Sequence, residues 1–311
     1  MTGIPGPRDS PAKRMVLSVA RMTIHNGPGL RNVIYFKGCP LRCRWCSTPE
    51  SQNVAKELAV YSAKCIHCDQ CVAACPLHAI TVTSQSVKVD RSICNNCGKC
   101  AEVCNSESLR LLGRPMTVEE LVVEAKKDVL FYRRSGGGVV LSGGEPLLSP
   151  DFTLRLVQAL REEGISVGVD TSGHVPWANI DPILPHVDFF LWDIKHMDPE
   201  RHRQLTGVHN ELILANARLL SQKHAPIYVR FPVIPGCNDS EDNIRATCAF
   251  AVGLSSVVEF DLIPLHHLGK TRYESLDRPY GIANLRLVPD AVLQDMKRLV
   301  ESYGLNCTIQ A

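Results

Sequence analysis

Eleven of the fourteen cysteines fall into three close groups before residue 105, and their spacing constrains the fold more than any other feature. The first group is Cys39, Cys43 and Cys46, a C-x3-C-x2-C loop with Trp45 directly before its last cysteine. Three thiolates on one short loop can hold three irons of a 4Fe–4S cluster, and the fourth iron then stays open to a small molecule. The loop therefore predicts a site for chemistry, since a fully ligated cluster serves mainly electron transfer.

Eight further cysteines form two groups that repeat the spacing C-x2-C-x2-C-x3-C. The doubled run is typical of a two-cluster ferredoxin, in which the fourth cysteine of each run ligates the other cluster. The predicted ligand sets are Cys65, Cys68, Cys71 and Cys104 for one auxiliary 4Fe–4S cluster, and Cys94, Cys97, Cys100 and Cys75 for the other. Two zinc sites are the alternative interpretation, because four thiolates also suit zinc.

The composition is that of an ordinary globular chain, with 311 residues of which 45% are hydrophobic and 21% charged. The net charge of +2 gives no reason to expect a nucleic-acid partner. No apolar run is long enough to cross a bilayer, and residues 1–14, which we expect to be a disordered tail, lack the apolar core of a secretion signal. We therefore expect a cytoplasmic protein without a membrane partner, whose cysteines serve metal rather than disulfides. The isolated Cys237, Cys248 and Cys307 are predicted to be buried apolar residues.

The character of the chain changes at both ends of residues 51–112. This stretch holds the eight repeated cysteines and no long amphipathic helix, which predicts an inserted ferredoxin-like domain with two clusters. Residues 15–50 and 113–311 form the predicted catalytic core, in which strand and helix patterns alternate. The predicted strands are 33–36, 139–141, 166–169, 189–193, 227–234 and 257–263, and the predicted helices are 117–132, 150–163, 211–223 and 290–303.

Strands that alternate with helices predict a parallel sheet with right-handed crossovers. The six predicted strands fit either an open doubly wound sheet or an incomplete barrel. Chemically capable residues follow one strand after another at its carboxyl end, which favours the barrel, because α/β barrels gather their active sites there. The predicted fold class is therefore α/β, a partial (β/α)6 TIM-like barrel with a ferredoxin-like insert.

Several motifs around the three-cysteine loop resemble those of one enzyme family. Cys39, Cys43, Trp45 and Cys46 match the signature of the radical S-adenosylmethionine (SAM) superfamily. The flanking motifs resemble those of glycyl-radical-enzyme activating enzymes, and they are Gly27-Pro28-Gly29-Leu30-Arg31, Phe36-x-Gly38-Cys39-Pro40 and Pro49-Glu50. The insert is similar to that of the larger branch, which includes activases of choline trimethylamine-lyase, glycerol dehydratase, 4-hydroxyphenylacetate decarboxylase and isethionate sulfite-lyase. The resemblance covers residues 15–311.

The resemblance implies a specific activity, cofactors and partners. A flavodoxin or ferredoxin donates the electron, and three 4Fe–4S clusters carry it to SAM. Reductive cleavage of SAM then yields methionine and a 5′-deoxyadenosyl radical, which removes a hydrogen atom from a glycine Cα of a large glycyl radical enzyme. The protein supplies orientation and electrostatics for this cofactor chemistry.

The resemblance also assigns roles to single residues. Trp45 is expected near the adenine, and Gly143 and Gly144 are expected to let the main chain approach SAM, while Glu145 accepts from the methionine ammonium. Lys195 is expected to bind the SAM carboxylate. A monovalent cation is expected at Asp170, Thr171 and Asp193, because hard oxygen ligands suit such ions. Arg230 and His266 are expected to contact SAM or the protein partner, although the neighbouring His267 leaves the choice of histidine open.

Two residues depart from the pattern of many relatives, and two other functions stay open. Asn26 stands where many relatives have aspartate, and Thr48 where they have asparagine, so partner choice and cofactor tuning are the properties in doubt. One alternative is a radical SAM enzyme that acts on a small molecule or peptide. The other is a ferredoxin-type electron carrier, which the insert alone would fit but the three-cysteine loop disfavours.

Overall fold

The structure, a computed structural model, describes residues 12–84, 86–282 and 284–310. Its strands are β1 Arg14–Thr23, β2 Arg31–Phe36, β3 Glu57–Val60, β4 Ile80–Val82, β5 Val87–Val89, β6 Leu109–Leu112, β7 Arg114–Met116, β8 Gly138–Gly143, β9 Ser166–Thr171, β10 Phe189–Asp193, β11 Ile227–Val233, β12 Val257–Pro264 and β13 Cys307–Ile309. Its helices are α1 Gln70–Ala74, α2 Lys99–Glu102, α3 Val118–Lys126, α4 Val129–Ser135, α5 Pro150–Glu162, α6 Pro199–Thr206, α7 Glu211–Gln222, α8 Glu241–Val252, α9 Lys270–Ser275 and α10 Asp290–Glu301.

The main sheet confirms the predicted α/β class with a large parallel sheet. Its strand order is β13-β12-β11-β10-β9-β8-β2-β1-β7, and all neighbours from β2 to β13 pair in parallel. Strands β1 and β7 extend the sheet in antiparallel pairs. Because the order has two different ends, the sheet stays open within the described residues, as a partial barrel does.

The two faces of the parallel strands carry different residues because side chains alternate along a strand. On one face Ile34, Leu141 and Trp192 belong to the large core that packs against the helices. On the other face Val33 and Val140 form a small separate cluster together with Phe189, Leu191 and their neighbours. Further along this second face, Tyr35 lies opposite Ser142 and Leu191 lies opposite Asp170. The carboxyl ends of the strands therefore present polar groups to one side of the sheet.

The predicted helix over 117–132 is two helices, α3 and α4. Its start is confirmed, because the Thr117 hydroxyl accepts from the Glu120 amide at 3.2 Å and the Glu120 carboxylate accepts from the Thr117 amide at 2.8 Å. The interruption comes at Asp128, whose buried carboxylate accepts from Arg21 Nε at 2.6 Å and from Asn32 Nδ2 at 2.7 Å. A tertiary ion pair thus interrupts a pattern that the local sequence would continue. None of the described helices combines the length and apolarity needed to cross a membrane.

The N-terminal boundary differs from the prediction at its last residues. Residues 1–11 of the predicted tail lie outside the described residues. Arg14, which the tail prediction included, is the first residue of β1 and is only 2% exposed. The core therefore begins at Arg14.

Residues 51–112 form a small unit with a core of its own. Strand β3 pairs with β6 and β4 pairs with β5, both in antiparallel fashion, and helices α1 and α2 are short. Its buried residues include Leu58, Ile80, Val87 and Leu109, which pack with Cys71, Cys75 and Cys100. The unit joins the main sheet through Glu57, which pairs with Lys37 at 3.3 Å and also with Arg278.

We predict that Asp128→Ala lowers the free energy of unfolding by about 2–4 kcal/mol, because it leaves Asn32 and Arg21 without their buried acceptor. Urea unfolding of the iron-free protein measures the change. Asp181→Ala is the matched control, since Asp181 is half exposed and lies 3.8 Å from the exposed Lys223, and its loss should cost less than about 1 kcal/mol. Equal effects of the two substitutions would contradict the structural role given to Asp128.

Candidate active site

A cavity of about 280 Å³ opens where the carboxyl ends of the parallel strands meet the three-cysteine loop. It gathers predicted site residues from seven separate segments of the chain. Those on its wall are Cys39, Cys43, Trp45, Cys46, Gly143, Gly144, Asp170, Thr171, Asp193, Lys195, Arg230 and His266, together with Asn26 and Thr48. Glu145 is the predicted cofactor residue that does not line this cavity. We call the cavity lined by these residues the central cavity.

The three-cysteine loop is held in place by main-chain hydrogen bonds. The Gly38 amide donates to the Ser51 carbonyl at 2.7 Å, and the Cys39 amide donates to the Gln52 carbonyl at 3.1 Å. Burial raises the pKa of all three thiols on this loop, that of Cys43 to about 12. Metal ligation must deprotonate these thiols, so iron binding releases protons here. Three thiols that face one cavity suit a cluster with one open iron.

Gly143 and Gly144 meet a geometric need that sequence reasoning did not identify, and their predicted approach to SAM stays a prediction. Gly143 has φ of +111°, and a Cβ there would lie 2.3 Å from the Phe36 amide nitrogen. A Cβ on Gly144 would lie 2.0 Å from the Gly38 carbonyl oxygen. The glycines thus let β8 pack directly on the main chain of β2 and the cysteine loop, while both residues also line the cavity. Close approach between two protein segments is the geometric need at this point.

Glu145 has a structural role, and its predicted contact with the methionine ammonium stays a prediction. Its fully buried carboxylate accepts from Thr171 Oγ1 at 2.6 Å and from Ser172 Oγ at 2.7 Å. It also accepts from the amides of Leu147 and Ser172, at 3.2 and 3.1 Å. Burial raises the pKa of Glu145, and these four donors favour its charged form. The side chain therefore joins the ends of β8 and β9 behind the cavity wall.

Two pairs of opposite charge lie on the cavity wall. Lys195 Nζ is 2.5 Å from Asp193 Oδ2, and Arg230 Nη1 is 3.4 Å from Asp170 Oδ1. Burial alone would lower the pKa of Lys195, but the Asp193 carboxylate raises it overall, so Lys195 stays charged. Burial raises the pKa of Asp170 against the opposing effect of Arg230. The cavity wall therefore combines three thiols with two ion pairs, whose basic groups can donate to an anionic part of a ligand.

The predicted cation site is only partly assembled. Asp170 and Asp193 both line the cavity, but each carboxylate already faces a basic side chain. The Thr171 hydroxyl donates to Glu145, and it accepts from the Gly173 amide at 2.9 Å. Among the residues that the structure describes, no three His, Cys, Asp or Glu side chains converge on a position for a single metal ion. The monovalent cation stays a prediction.

The structure resolves the ambiguity between the two neighbouring histidines. His266 lines the central cavity, and burial lowers its pKa. The ring of His267 points elsewhere, with Nε2 at 2.9 Å from the Leu285 carbonyl and the ring edge against Tyr280. His266 is therefore the one available to a ligand. Trp45 both lines the cavity and packs against a small apolar cluster that includes Ile234 and Leu265, so its packing and ligand-facing roles coexist.

Sequence reasoning gave no role to Tyr35, and it placed Ser142 at the end of a strand without a partner. Both residues line the cavity, and the Ser142 hydroxyl donates to Asp170 at 2.7 Å. Strand alternation was the available indication, because Tyr35 is two residues beyond Val33 and Ser142 two beyond Val140 on the same face. Of the isolated cysteines, Cys248 and Cys307 are buried as predicted, whereas Cys237 is only partly buried.

Two smaller pockets in residues 51–112 bring the repeated cysteines together in crossed sets. Pocket A is lined by Cys65, Cys68, Cys71 and Cys104, and pocket B by Cys75, Cys94, Cys97 and Cys100. Main-chain amides point at sulfur in both, from Leu109 to Cys104 at 3.4 Å and from Ala79 to Cys75 at 3.3 Å. Four thiols with amide donors around one small apolar pocket suit a 4Fe–4S cluster.

Comparison with known proteins identifies the family. The radical SAM superfamily profile matches residues 33–248. The isethionate sulfite-lyase activating enzyme of Oleidesulfovibrio alaskensis is 42% identical over 277 residues, which are 87% of this chain and 89% of that protein. The (2S)-3-sulfopropanediol dehydratase activating enzyme of Klebsiella oxytoca is 38% identical over 305 residues, 95% of this chain and 96% of that protein.

Comparison with a solved structure supports the fold independently of sequence similarity. The crystal structure of Streptococcus suis SuiB bound to precursor peptide SuiA matches with a TM-score of 0.52 at 13% identity, over 89% of this chain and 47% of that one. The likeness at this identity concerns the fold alone. Together with the profile and the relatives, the three-cysteine cavity shows that the chain belongs to the radical SAM superfamily and, within it, to the activating enzymes of glycyl radical enzymes.

Proposed function

We propose that the protein activates a glycyl radical enzyme by reductive cleavage of SAM and removal of a hydrogen atom from a glycine Cα of that partner. The observation that carries the proposal is the central cavity, in which Cys39, Cys43 and Cys46 face Lys195 and Arg230. The names of the relatives support the activase reading over a carrier or a small-molecule enzyme.

Each group of residues on the cavity wall would have a separate role. The three thiolates would hold the site cluster, which when bound supplies the electron that splits the carbon–sulfur bond of SAM. Lys195 would bind the SAM carboxylate, since its charge is fixed by Asp193 at 2.5 Å. Trp45 would contact the adenine, and the main chain at Gly143 and Gly144 would lie along the methionine part of SAM.

Residues 51–112 and the cavity wall would hold further cofactors. We propose that pocket A and pocket B each hold a 4Fe–4S cluster, and that a flavodoxin or ferredoxin delivers the electron to them. The crossed cysteine sets support clusters over zinc, because the fourth ligand of each comes from the other run. A monovalent cation at Asp170, Thr171 and Asp193 is also proposed, and it would have to compete with Arg230 and Lys195 for the carboxylates.

Isethionate sulfite-lyase is the partner to test first. Three relatives named as its activating enzyme are 39 to 42% identical to this chain, whereas the relative named for choline trimethylamine-lyase is 34% identical. Asn26 lies on the cavity wall, where it would meet the partner or the cofactor. We infer that this position contributes to the choice of partner.

The decisive test is electron paramagnetic resonance of the reduced protein mixed with SAM and isethionate sulfite-lyase. We expect the doublet of a glycyl radical on the partner, with formation of 5′-deoxyadenosine. Cys43→Ala should abolish both products by removing a ligand of the open cluster, while the iron in pockets A and B is retained. A wild-type protein that forms no 5′-deoxyadenosine would contradict the proposal and favour an electron carrier. Cleavage of SAM without a radical on any candidate partner would favour a different substrate.

The two neighbouring histidines offer a matched prediction. His266→Gln should lower the rate of partner activation by about tenfold or more, because it changes a side chain on the cavity wall. His267→Gln should change the rate by less than about threefold, since its ring contacts Leu285 and Tyr280 instead. Rates of glycyl radical formation at equal iron content measure both effects. The reverse order would show that His267, and not His266, serves the reaction.

A further inference from the structure

We infer that Arg14 is a positioning residue for the main chain that would hold SAM, an inference that rests on the proposed function. Arg14 Nη2 donates to the Glu145 carbonyl at 2.6 Å, and Nη1 donates to the Pro146 carbonyl. These carbonyls directly follow Gly143 and Gly144, which line the central cavity. Arg14 itself does not line the cavity, so it acts from behind the wall.

The surroundings of Arg14 fix the guanidinium as well as the loop. The residue is 2% exposed, and its guanidinium carbon lies 4.2 Å from the centre of the Phe36 ring. Phe36 ends β2, and its carbonyl accepts from the Gly144 amide at 2.9 Å. Arg14 therefore links the first residue of β1, the end of β2 and the loop after β8. A planar guanidinium can donate to two adjacent carbonyls in a fork, which an ammonium group cannot reproduce.

The loop that Arg14 contacts is anchored on its other sides too. The Thr153 hydroxyl donates to the same Pro146 carbonyl at 2.7 Å and lies 3.3 Å from Arg14 Nη1. The Glu145 amide donates to the Gly38 carbonyl at 2.6 Å, beside the cysteine loop. Arg14 and Thr153 thus complete a set of bonds that sets the path of the main chain between the cavity wall and α5. Loss of this set should loosen the wall without removing any group that contacts SAM.

Arg31 provides a matched control, because it is another buried arginine on the same sheet. It is 2% exposed, its guanidinium lies 4.6 Å from the centre of the Phe189 ring, and its Nε donates to the Pro28 carbonyl at 2.7 Å. It contacts β9 through Ser166, at the amino ends of the parallel strands. Replacement of Arg31 should therefore affect stability without touching the loop after β8.

The experiment compares Arg14→Lys with Arg31→Lys in two measurements. Calorimetric titration of SAM into the oxidised, iron-loaded protein should show binding about tenfold weaker for Arg14→Lys, equivalent to about 1.4 kcal/mol, and within about twofold of wild type for Arg31→Lys. Amide hydrogen exchange of the iron-free protein should be about tenfold faster at Gly144 and Glu145 in Arg14→Lys alone. Iron content and melting temperature are recorded for each variant.

The outcomes separate the inference from the proposed function. Wild-type protein that fails to bind SAM would overturn the proposed function itself. The role of Arg14 alone would be overturned by a different result. In that case the wild-type protein binds SAM, and Arg14→Lys and Arg31→Lys show the same SAM affinity and the same amide exchange rates as each other. If Arg14→Lys does not fold, Thr153→Val decides, since it removes one donor to the Pro146 carbonyl at nearly constant volume. It should weaken SAM binding and speed exchange in the same loop by a smaller factor, and unchanged values would overturn the inference.

Discussion

The contact between the end of β8 and the cysteine loop is the constraint on which the rest of the site depends. A Cβ on Gly144 would lie 2.0 Å from the Gly38 carbonyl, and the Glu145 amide donates to that carbonyl at 2.6 Å. No side chain fits between these two segments. The three-cysteine loop and the main chain at the end of β8 are therefore fixed relative to each other by backbone packing, which side-chain motion cannot relax.

The charges of the site follow from the same architecture. Parallel strands bring Asp170 and Asp193 to neighbouring positions, where two partly buried carboxylates would repel each other. Arg230 and Lys195 relieve that repulsion at 3.4 and 2.5 Å, so each cation serves the fold before any ligand arrives. A group held charged in advance costs little reorganisation when an anionic ligand binds. Structural pairing is thus one use of these side chains, and the ligand binding proposed above would be a second.

The sequence predicted the structural features that are set by neighbouring residues, and it did not predict those that depend on contacts with distant residues. The crossed cysteine sets and the helix start at Thr117 follow from short spacings, and the structure shows both. The break at Asp128 depends on Arg21, more than a hundred residues away, so local periodicity could not indicate it. The hydrogen bonds of Glu145 could not be predicted for the same reason, because its partners Thr171 and Ser172 lie at and just after the end of the next strand of the sheet. Strand β1 was not among the predicted strands, and its first residue, Arg14, has hydrogen-bond acceptors that lie beyond residue 140.

The segment after β12 contacts both residues 51–112 and the candidate active site. It begins with His266 on the cavity wall, and a Cβ on Gly269 would lie 3.2 Å from the Cys46 carbonyl. Its Arg278 donates to Pro49 at 2.7 Å and pairs with Glu57 at the start of β3. Exposed ion pairs alone would hold such a junction weakly, but Glu57 also faces the fully buried Lys37. Because Lys37 directly precedes Gly38 and Cys39, a shift of residues 51–112 would reach the three-cysteine loop through this buried contact.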